Sequence, residues 1–578
     1  MKSSRQAVRL SRRAAIRTLS YGVGAGSVAF ATACSGGTKN QPSSALAPGT
    51  ATNAPPVGAA RTSTPAAVTS GTGSPRGELV VLLGDLREQN FLPGSGSGTR
   101  QLYTEPLLEY PFLAKSDTAE IAPGLTTEAT TSADGLTWTG KVRPGVKFHN
   151  GAALTSADFK FTVEFNGRDG TKSAQADPLK KIISSMDDSD PTQLRITFKT
   201  PQPDFSAAYF SLYGFDIQII SKAQLDAVGP AAAEKAPVGT GPYKFLSQQP
   251  DTITYEAVLN HWRVTPEFQR LTLRNVPEVA TQLNLLQSGA ADLVSVDFDT
   301  ATQLASNTNL QKFTSPASYN AHLLFGNNYL PSDKRYKGPQ PWSDIRVRQA
   351  LNLAIDRDAI AKSIYHGFAK PARIGHLDAL LPADVKPYPF DQEKAKALLK
   401  QAGADTNLTI TMNSWVRDPG KELPQLVEIV AQYWSQVGVK TKIVPRDYTD
   451  FRKNWFAGTI AGEVFPLSLN TFYPSWAEEL GKWYLPDLTI AVWESDAISQ
   501  AAQKLSTTTD TKTRVDLETA VARDIYDNYG EIPLVVADSV FLGSKKLGTW
   551  KPPARWYPMY YEYATTNPPA NTPKPFIV

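Results

Sequence analysis

The side chains that could carry chemistry are few and scattered. Five histidines, His149, His261, His322, His366 and His376, are candidates for metal binding or proton transfer. None lies three or four residues from another, so no helix can present two of them to one ion. Asp187, Asp188 and Asp190 resemble the start of a calcium loop. The central glycine is missing, however, and Phe198 stands where the twelfth-position glutamate belongs. The run reads as a solvated turn before Pro191. Glu478 and Glu479 are a carboxylate pair of the residue type that hydrolyses glycosides. Adjacent helical residues point about 100° apart, so this pair reads as a solvated face. There is no G-x-x-x-x-G-K-S/T phosphate loop, no G-x-S-x-G elbow and no H-E-x-x-H zinc helix. Gly94–Gly98 does not fit a dinucleotide turn. Local catalytic constellations are absent, and no cofactor or metal is implied.

Composition narrows the class further. The 578 residues carry 59 Lys+Arg and 55 Asp+Glu. Six of the basic residues fall within residues 1–33, which hold no acid. The remainder has 53 basic and 55 acidic residues, a net charge of −2. A basic face for nucleic acid is therefore not expected. At 41% hydrophobic and 20% charged the body is globular, and its length calls for more than one domain.

Residues 1–33 read as an export signal, with Arg12-Arg13 resembling a twin-arginine motif and Thr18–Ala33 forming a short small-residue core. The core ends at Ala31-Thr32-Ala33-Cys34. This resembles a lipobox, and Cys34, the only cysteine, is expected to carry the lipid after cleavage. One cysteine allows no intramolecular disulfide. Residues 34–76 are Ser, Thr, Ala, Pro and Gly with no aromatic residue, a composition that forms a tether rather than a core. The expected location is the outer face of a bacterial cytoplasmic membrane, periplasmic or at the cell surface.

The elements that must position any site follow from periodicity. Glu78–Leu83 is an apolar run suited to a buried strand. Leu136–Thr139 and Val146–Phe148 alternate around Arg143-Pro144-Gly145 and predict a hairpin. Ser156 predicts the cap of a helix near 157–165. Strands are predicted at Arg195–Lys199, Thr252–Val258, Leu271–Val276 and Leu408–Met412. Helices are predicted at 278–287, 344–355, after Asp391 and at 426–437, with Gly289, Gly403 and Gly438 closing three of them. Strands and helices mix without a repeat, which is an α/β fold in more than one lobe.

Several segments together resemble one family, the extracytoplasmic solute-binding proteins of ABC importers for peptides, nickel and oligosaccharides (family 5). They are Leu102–Tyr110, Ile121–Leu125, Asp134–Trp138, Arg143–Gly151, Leu154–Phe159, Pro237–Tyr243, Leu286–Gly289 with Asp292, Asp344–Arg357 and Gly367–Ala372. The resemblance implies a two-lobed clamshell of the class II type, an ABC permease as partner, a monomer, and capture without catalysis. The first lobe would span 77–273, with an extra subdomain near 102–188. The second would span 274–529, and 530–578 would return to the first. The crossings would fall at Leu271–Val276 and near Pro533 and Leu534.

The resemblance also points to ligand residues. Tyr448 stands for an aromatic that precedes the amine-binding aspartate of peptide-binding members, and Asn470 falls at that aspartate's position. Nearby cationic positions fall on Trp455 and Val464. Losing charged partners weakens a peptide assignment. Trp415, Tyr448, Trp455, Tyr473 and Trp476 suggest aromatic faces for a neutral oligosaccharide instead. Glu105, Arg417 and Glu422 complete the candidates. An extracytoplasmic hydrolase, a sensor subunit or a chaperone are the competing readings.

Overall fold

The computed structural model describes residues 74–578 apart from 87–88, 95–99, 116–119, 174, 213–216, 327, 376, 406, 418–419, 471–479, 481–482, 485–491, 506, 554–558 and 570–578. The expected signal, Cys34 and the tether lie outside the described residues. So do His376, Tyr473, Trp476, Glu478 and Glu479.

The chain opens with β1 (Glu78–Leu83). It then builds a subdomain from β2 (Phe112–Ala114), β3 (Ile121–Pro123), β4 (Thr126–Thr131), β5 (Thr137–Val142), β6 (Ile183–Asp190) and β7 (Gln193–Phe198). It continues through β8 (Tyr243–Gln249), β9 (Thr252–Ala257), β10 (Arg270–Asn275), β11 (Leu293–Val296) and β12 (Leu310–Phe325). The last strands are β13 (Ala369–Pro371), β14 (Thr409–Ser414), β15 (Lys440–Pro445), β16 (Glu463–Asn470) and β17 (Ile532–Ser544). Ten strands form one path, β15-β14-β16-β12-β17-β11-β1-β10-β9-β8, and β13 adds to β17.

The pairing explains how two lobes share this sheet. β1 runs parallel to β10 and β11, and β14 runs parallel to β15 and β16. Between the two parallel sets lie the long antiparallel strands β12 and β17. Their register jumps from Ser315↔Ser539 to Tyr319↔Ala537. The extra residues form a bulge containing Ala317 at φ 51°, and the Ala317 N–H donates to Asp538 Oδ1 at 2.9 Å. β11 ends at Val296↔Val540, and β16 ends at Asn470↔Tyr319. The carboxyl ends of both parallel sets therefore point at this waist from opposite sides. In open α/β sheets ligands bind outside strand carboxyl ends, so the register puts the cleft here.

Three sequence expectations are corrected. Leu271–Val276 does not cross between lobes; as β10 it sits between β1 and β9, and β12 makes the crossing. Pro533 and Leu534 do lie in the other crossing strand, β17. The 136–148 hairpin does not form, because β5 pairs with β4 and β7 instead. The helix Ser156–Asn166 is capped by Thr155, whose capping box uses Asp158, rather than by Ser156.

The subdomain sheet β4-β5-β7-β6 encloses its own core, which runs from Phe112 to Ile219. It therefore extends beyond 188, because β7 is needed to close the sheet. The second-lobe core collects Trp415, Phe451, Trp455, Phe465 and the inner face of the helix Leu423–Gln436. Leu423, Leu426, Val427, Val430, Ala431 and Trp434 of that helix are buried at three- and four-residue spacing. Gly438 follows it at φ 91°, a conformation that favours glycine.

Candidate functional site

The second-lobe side of the cleft is built where β14, β15 and β16 end. β14 leads into Trp415, and a turn brings Arg417 back to bridge Gly420. Gly420 cannot carry a side chain here, since a Cβ would lie 2.9 Å from Ser468 Oγ and from Leu423 Cγ. After β15, Asp447 accepts from the Asp450 N–H and caps the helix Tyr448–Phe456. The first residue of that helix meets Arg417. Arg417 Nη1 donates to the Tyr448 hydroxyl at 2.8 Å, and its guanidinium lies over the ring, 4.4 Å from the centroid. Both Arg417 and Tyr448 stay half-exposed. Val416 between them and the strand is 69% exposed. Asn470, at the carboxyl end of β16, is also half-exposed.

Not every expected residue reaches this edge. Trp455 is 2% exposed and packed among Phe451, Phe456, Phe465 and Trp483. Trp415 is buried, against Phe451 at 4.6 Å and Tyr448 at 5.3 Å. Neither indole offers an open face, because both are part of the apolar layer between the helix and the sheet. Glu422 is also turned inward. Its Oε1 accepts from the Tyr319 hydroxyl at 2.9 Å and the Tyr365 hydroxyl at 2.7 Å, tying the crossing strand β12 to the second lobe. Burial and the Glu422 charge push the Tyr365 hydroxyl well above its ordinary range.

In the first lobe a small cavity is lined by Glu105, Tyr110, Leu113, Leu212, Met559 and Tyr560 among others. Glu105 follows the short helix Gln101–Thr104, is half-buried, and lies close enough to Tyr560 for its charge to act on that hydroxyl. Behind the cavity is a fixed ionic network. Arg263 donates to Glu109 Oε1 at 3.1 Å and to Glu562 Oε1 at 2.6 Å, and Trp262 Nε1 donates to Glu109 Oε2 at 2.8 Å. Burial alone would push the Glu109 carboxyl up. His261, Arg263 and the indole N–H outweigh it and hold the group down at about 2. Glu109 thus stays charged and structural.

His149 and His261 serve the scaffold as well. His149 Nε2 bonds the Gly241 carbonyl at 2.9 Å, and burial pushes its ring down to about 4. His261 Nε2 bonds the Thr240 carbonyl at 2.8 Å. Among the described residues no three His, Cys, Asp or Glu side chains converge as a metal site would require.

Sequence reasoning missed Asn320. It lies on β12 beside the waist, 0% exposed, and neither amide atom has a hydrogen-bond partner among the described residues. Only the strand register, which sets it against Leu469 and Val536, identifies its place.

A sequence model of the bacterial extracellular solute-binding proteins, family 5, matches residues 120–482. The chain is 32% identical over 375 residues to the glutathione-binding protein GsiB of Pectobacterium atrosepticum, covering 63% of this chain and 68% of that protein. It is 27% identical to the heme-binding protein A of Haemophilus influenzae, with 64% and 69% covered. The fold superposes on the periplasmic binding protein DppA of Helicobacter pylori, solved with the peptide STSA. That match has a TM-score of 0.65 at 23% identity, and covers 82% of this chain and 95% of that one.

Proposed function

Because this chain belongs to the bacterial extracellular solute-binding proteins of family 5, we propose that it captures a peptide-sized solute bearing a carboxylate and hands it to an ABC permease. Members of the family bind solute rather than transform it. The observation that carries the ligand class is Arg417. Its guanidinium is held by the Tyr448 ring and hydroxyl at the cleft edge, and the residue is only partly buried. Arginine held in a fixed plane suits a carboxylate, and a charge-assisted bond contributes about 1.5–3 kcal/mol.

The same observations weigh against a neutral oligosaccharide. That reading needs stacked aromatic faces, and Trp415 and Trp455 are interior. Relatives agree with the anionic reading: one is named for glutathione, a peptide with free carboxylates, and a solved relative holds a tetrapeptide. Glu105 on the opposite lobe suits the ligand's amino group, and Asn470, at the end of β16 beside the waist, suits a neutral polar contact. Closure about β12 and β17 is favoured by whatever contacts the ligand makes only in the closed form. In this reading Cys34 carries a lipid that keeps the body at the outer face of the cytoplasmic membrane.

A thermal-shift and calorimetric panel tests this. It holds reduced glutathione, di- to tetrapeptides, gluco- and xylo-oligosaccharides, and nickel. A ligand at one hundred times its Kd adds about 2.7 kcal/mol to stability. Stabilisation by peptides or glutathione, lost on amidation of their carboxylates, is expected. Stabilisation by oligosaccharides alone would overturn the reading.

A further inference from the structure

One ion pair joins the two halves of the clamshell away from the strands that connect them. Asp204 belongs to the first-lobe subdomain, immediately before the helix Phe205–Ala208, whose Phe205 packs in the subdomain core. Arg514 lies in the helix Thr511–Asp527, whose Val521, Ala522 and Ile525 pack in the second-lobe core. The Arg514 Nη2 donates to Asp204 Oδ2, across 310 residues of sequence.

The pair is built rather than incidental. Arg514 is 7% exposed, and its Nη1 donates to the carbonyls of Leu505 at 3.0 Å and Thr508 at 2.9 Å. Those two bonds fix the guanidinium to the second lobe and aim its remaining edge at the subdomain. Arg514 lies in the first turn of Thr511–Asp527, which is about 25 Å long at 1.5 Å per residue, and the opposite, carboxyl end of that helix leads into β17 at Ile532.

A third group makes the contact releasable. Glu518 lies one turn beyond Arg514, is 8% exposed, and senses both Asp204 and Arg514. Burial and the Asp204 charge push the Glu518 carboxyl up to about 7, so it becomes a fuller counter-charge to Arg514 once Asp204 has left. A buried charge that lost its only partner would cost far more. The arrangement thus has two acceptable states.

We infer that Asp204 and Arg514 form an interlobe latch that biases this binding protein toward its closed form and raises ligand affinity without touching the ligand. The inference rests on the clamshell reading above, and its test needs no ligand. Spin labels at Lys181→Cys in the subdomain and Lys442→Cys on β15, both exposed, report the interlobe distance in a full-length Cys34→Ser background. Asp204→Asn, which keeps the side-chain shape, is expected to shift the unliganded population toward longer distances by about five- to tenfold in the closed-to-open ratio. Arg514→Gln should reproduce Asp204→Asn. An unchanged distance distribution in Asp204→Asn overturns the inference, whichever ligand the protein takes. Where reduced glutathione binds the wild type, Asp204→Asn should weaken it by the same factor, chiefly through faster dissociation. A latch variant that shifts the distances while glutathione fails to bind would leave the latch standing and refute only the ligand class.

Discussion

Arg417 is held to Tyr448 twice, by a 2.8 Å hydrogen bond to the hydroxyl and by the ring face 4.4 Å below its guanidinium. The two residues come from different strand ends, β14 and β15, and meet only because those strands are parallel neighbours. Arg417→Ala should weaken binding of a carboxylate-bearing peptide by about 10- to 100-fold, the worth of one charge-assisted bond. Tyr448→Phe keeps the ring and removes the acceptor, and should weaken binding only several-fold. Titration calorimetry of both variants checks this, with folding stability unchanged within about 0.5 kcal/mol for these partly exposed sites.

Trp455 separates a ligand role from a packing role. Trp455→Ala should destabilise the second lobe by about 3–5 kcal/mol through the cavity it leaves. Denaturant unfolding measures the loss. Binding measured well below the unfolding midpoint should be nearly unaffected, which would not be so if the indole stacked on ligand.

Ala317 sits at φ 51° in the bulge of β12. A left-handed residue with a Cβ carries a cost of about 1–2 kcal/mol, partly offset for glycine by its extra unfolded-state freedom. Ala317→Gly should therefore be neutral or stabilising by up to about 1 kcal/mol. Ala317→Val should destabilise by more than that, since a branched side chain fits this conformation worse. Chemical denaturation of both variants provides the comparison.

Glu494 gives a pH signature. It is 4% exposed, accepts from the Leu330 N–H at 2.8 Å and from Arg335 at 3.0 Å, and lies beside Asp333. Burial first, and then the Asp333 carboxyl, push its own carboxyl up to about 8. A group raised on folding binds its proton more tightly in the native state. Its contribution is fully present below about 4.5, the unfolded value, and is lost as pH rises through about 8. Glu494→Gln, which keeps a neutral hydrogen-bonding group, should reduce the fall in Tm across that window by about 1–2 °C. A pH series of melting curves for the two proteins tests it.

Much of the architecture was legible locally. The helix Gln392–Gln401 begins where Asp391 accepts from the Lys394 N–H, and Gly403 follows it at φ 67°. Such signals act within one turn, so a sequence carries them whole. The family motifs were legible for the same reason, as short runs with their own backbone requirements. The hairpin around Pro144 does not form because β5 pairs along both edges with other strands, β4 and β7, one of them about 50 residues away in sequence.

The amino-acid sequence by itself determined the α/β class, the family and most strand and helix positions, and it named Arg417 and Tyr448 only among its candidates. Tertiary structure decided which of those candidates are buried and which stay accessible at the strand ends. Trp455 and Asn470 look alike as candidates in a linear chain. The first is enclosed between a helix and a sheet, and the second ends a strand at the waist. Tertiary structure also decided where the lobes join. The first crossing was expected at β10, yet β12 makes it, whereas the second, expected near Pro533 and Leu534, lies in β17. Accessibility and strand neighbours depend on contacts between segments hundreds of residues apart, and no local pattern of charge, turn or periodicity encodes them.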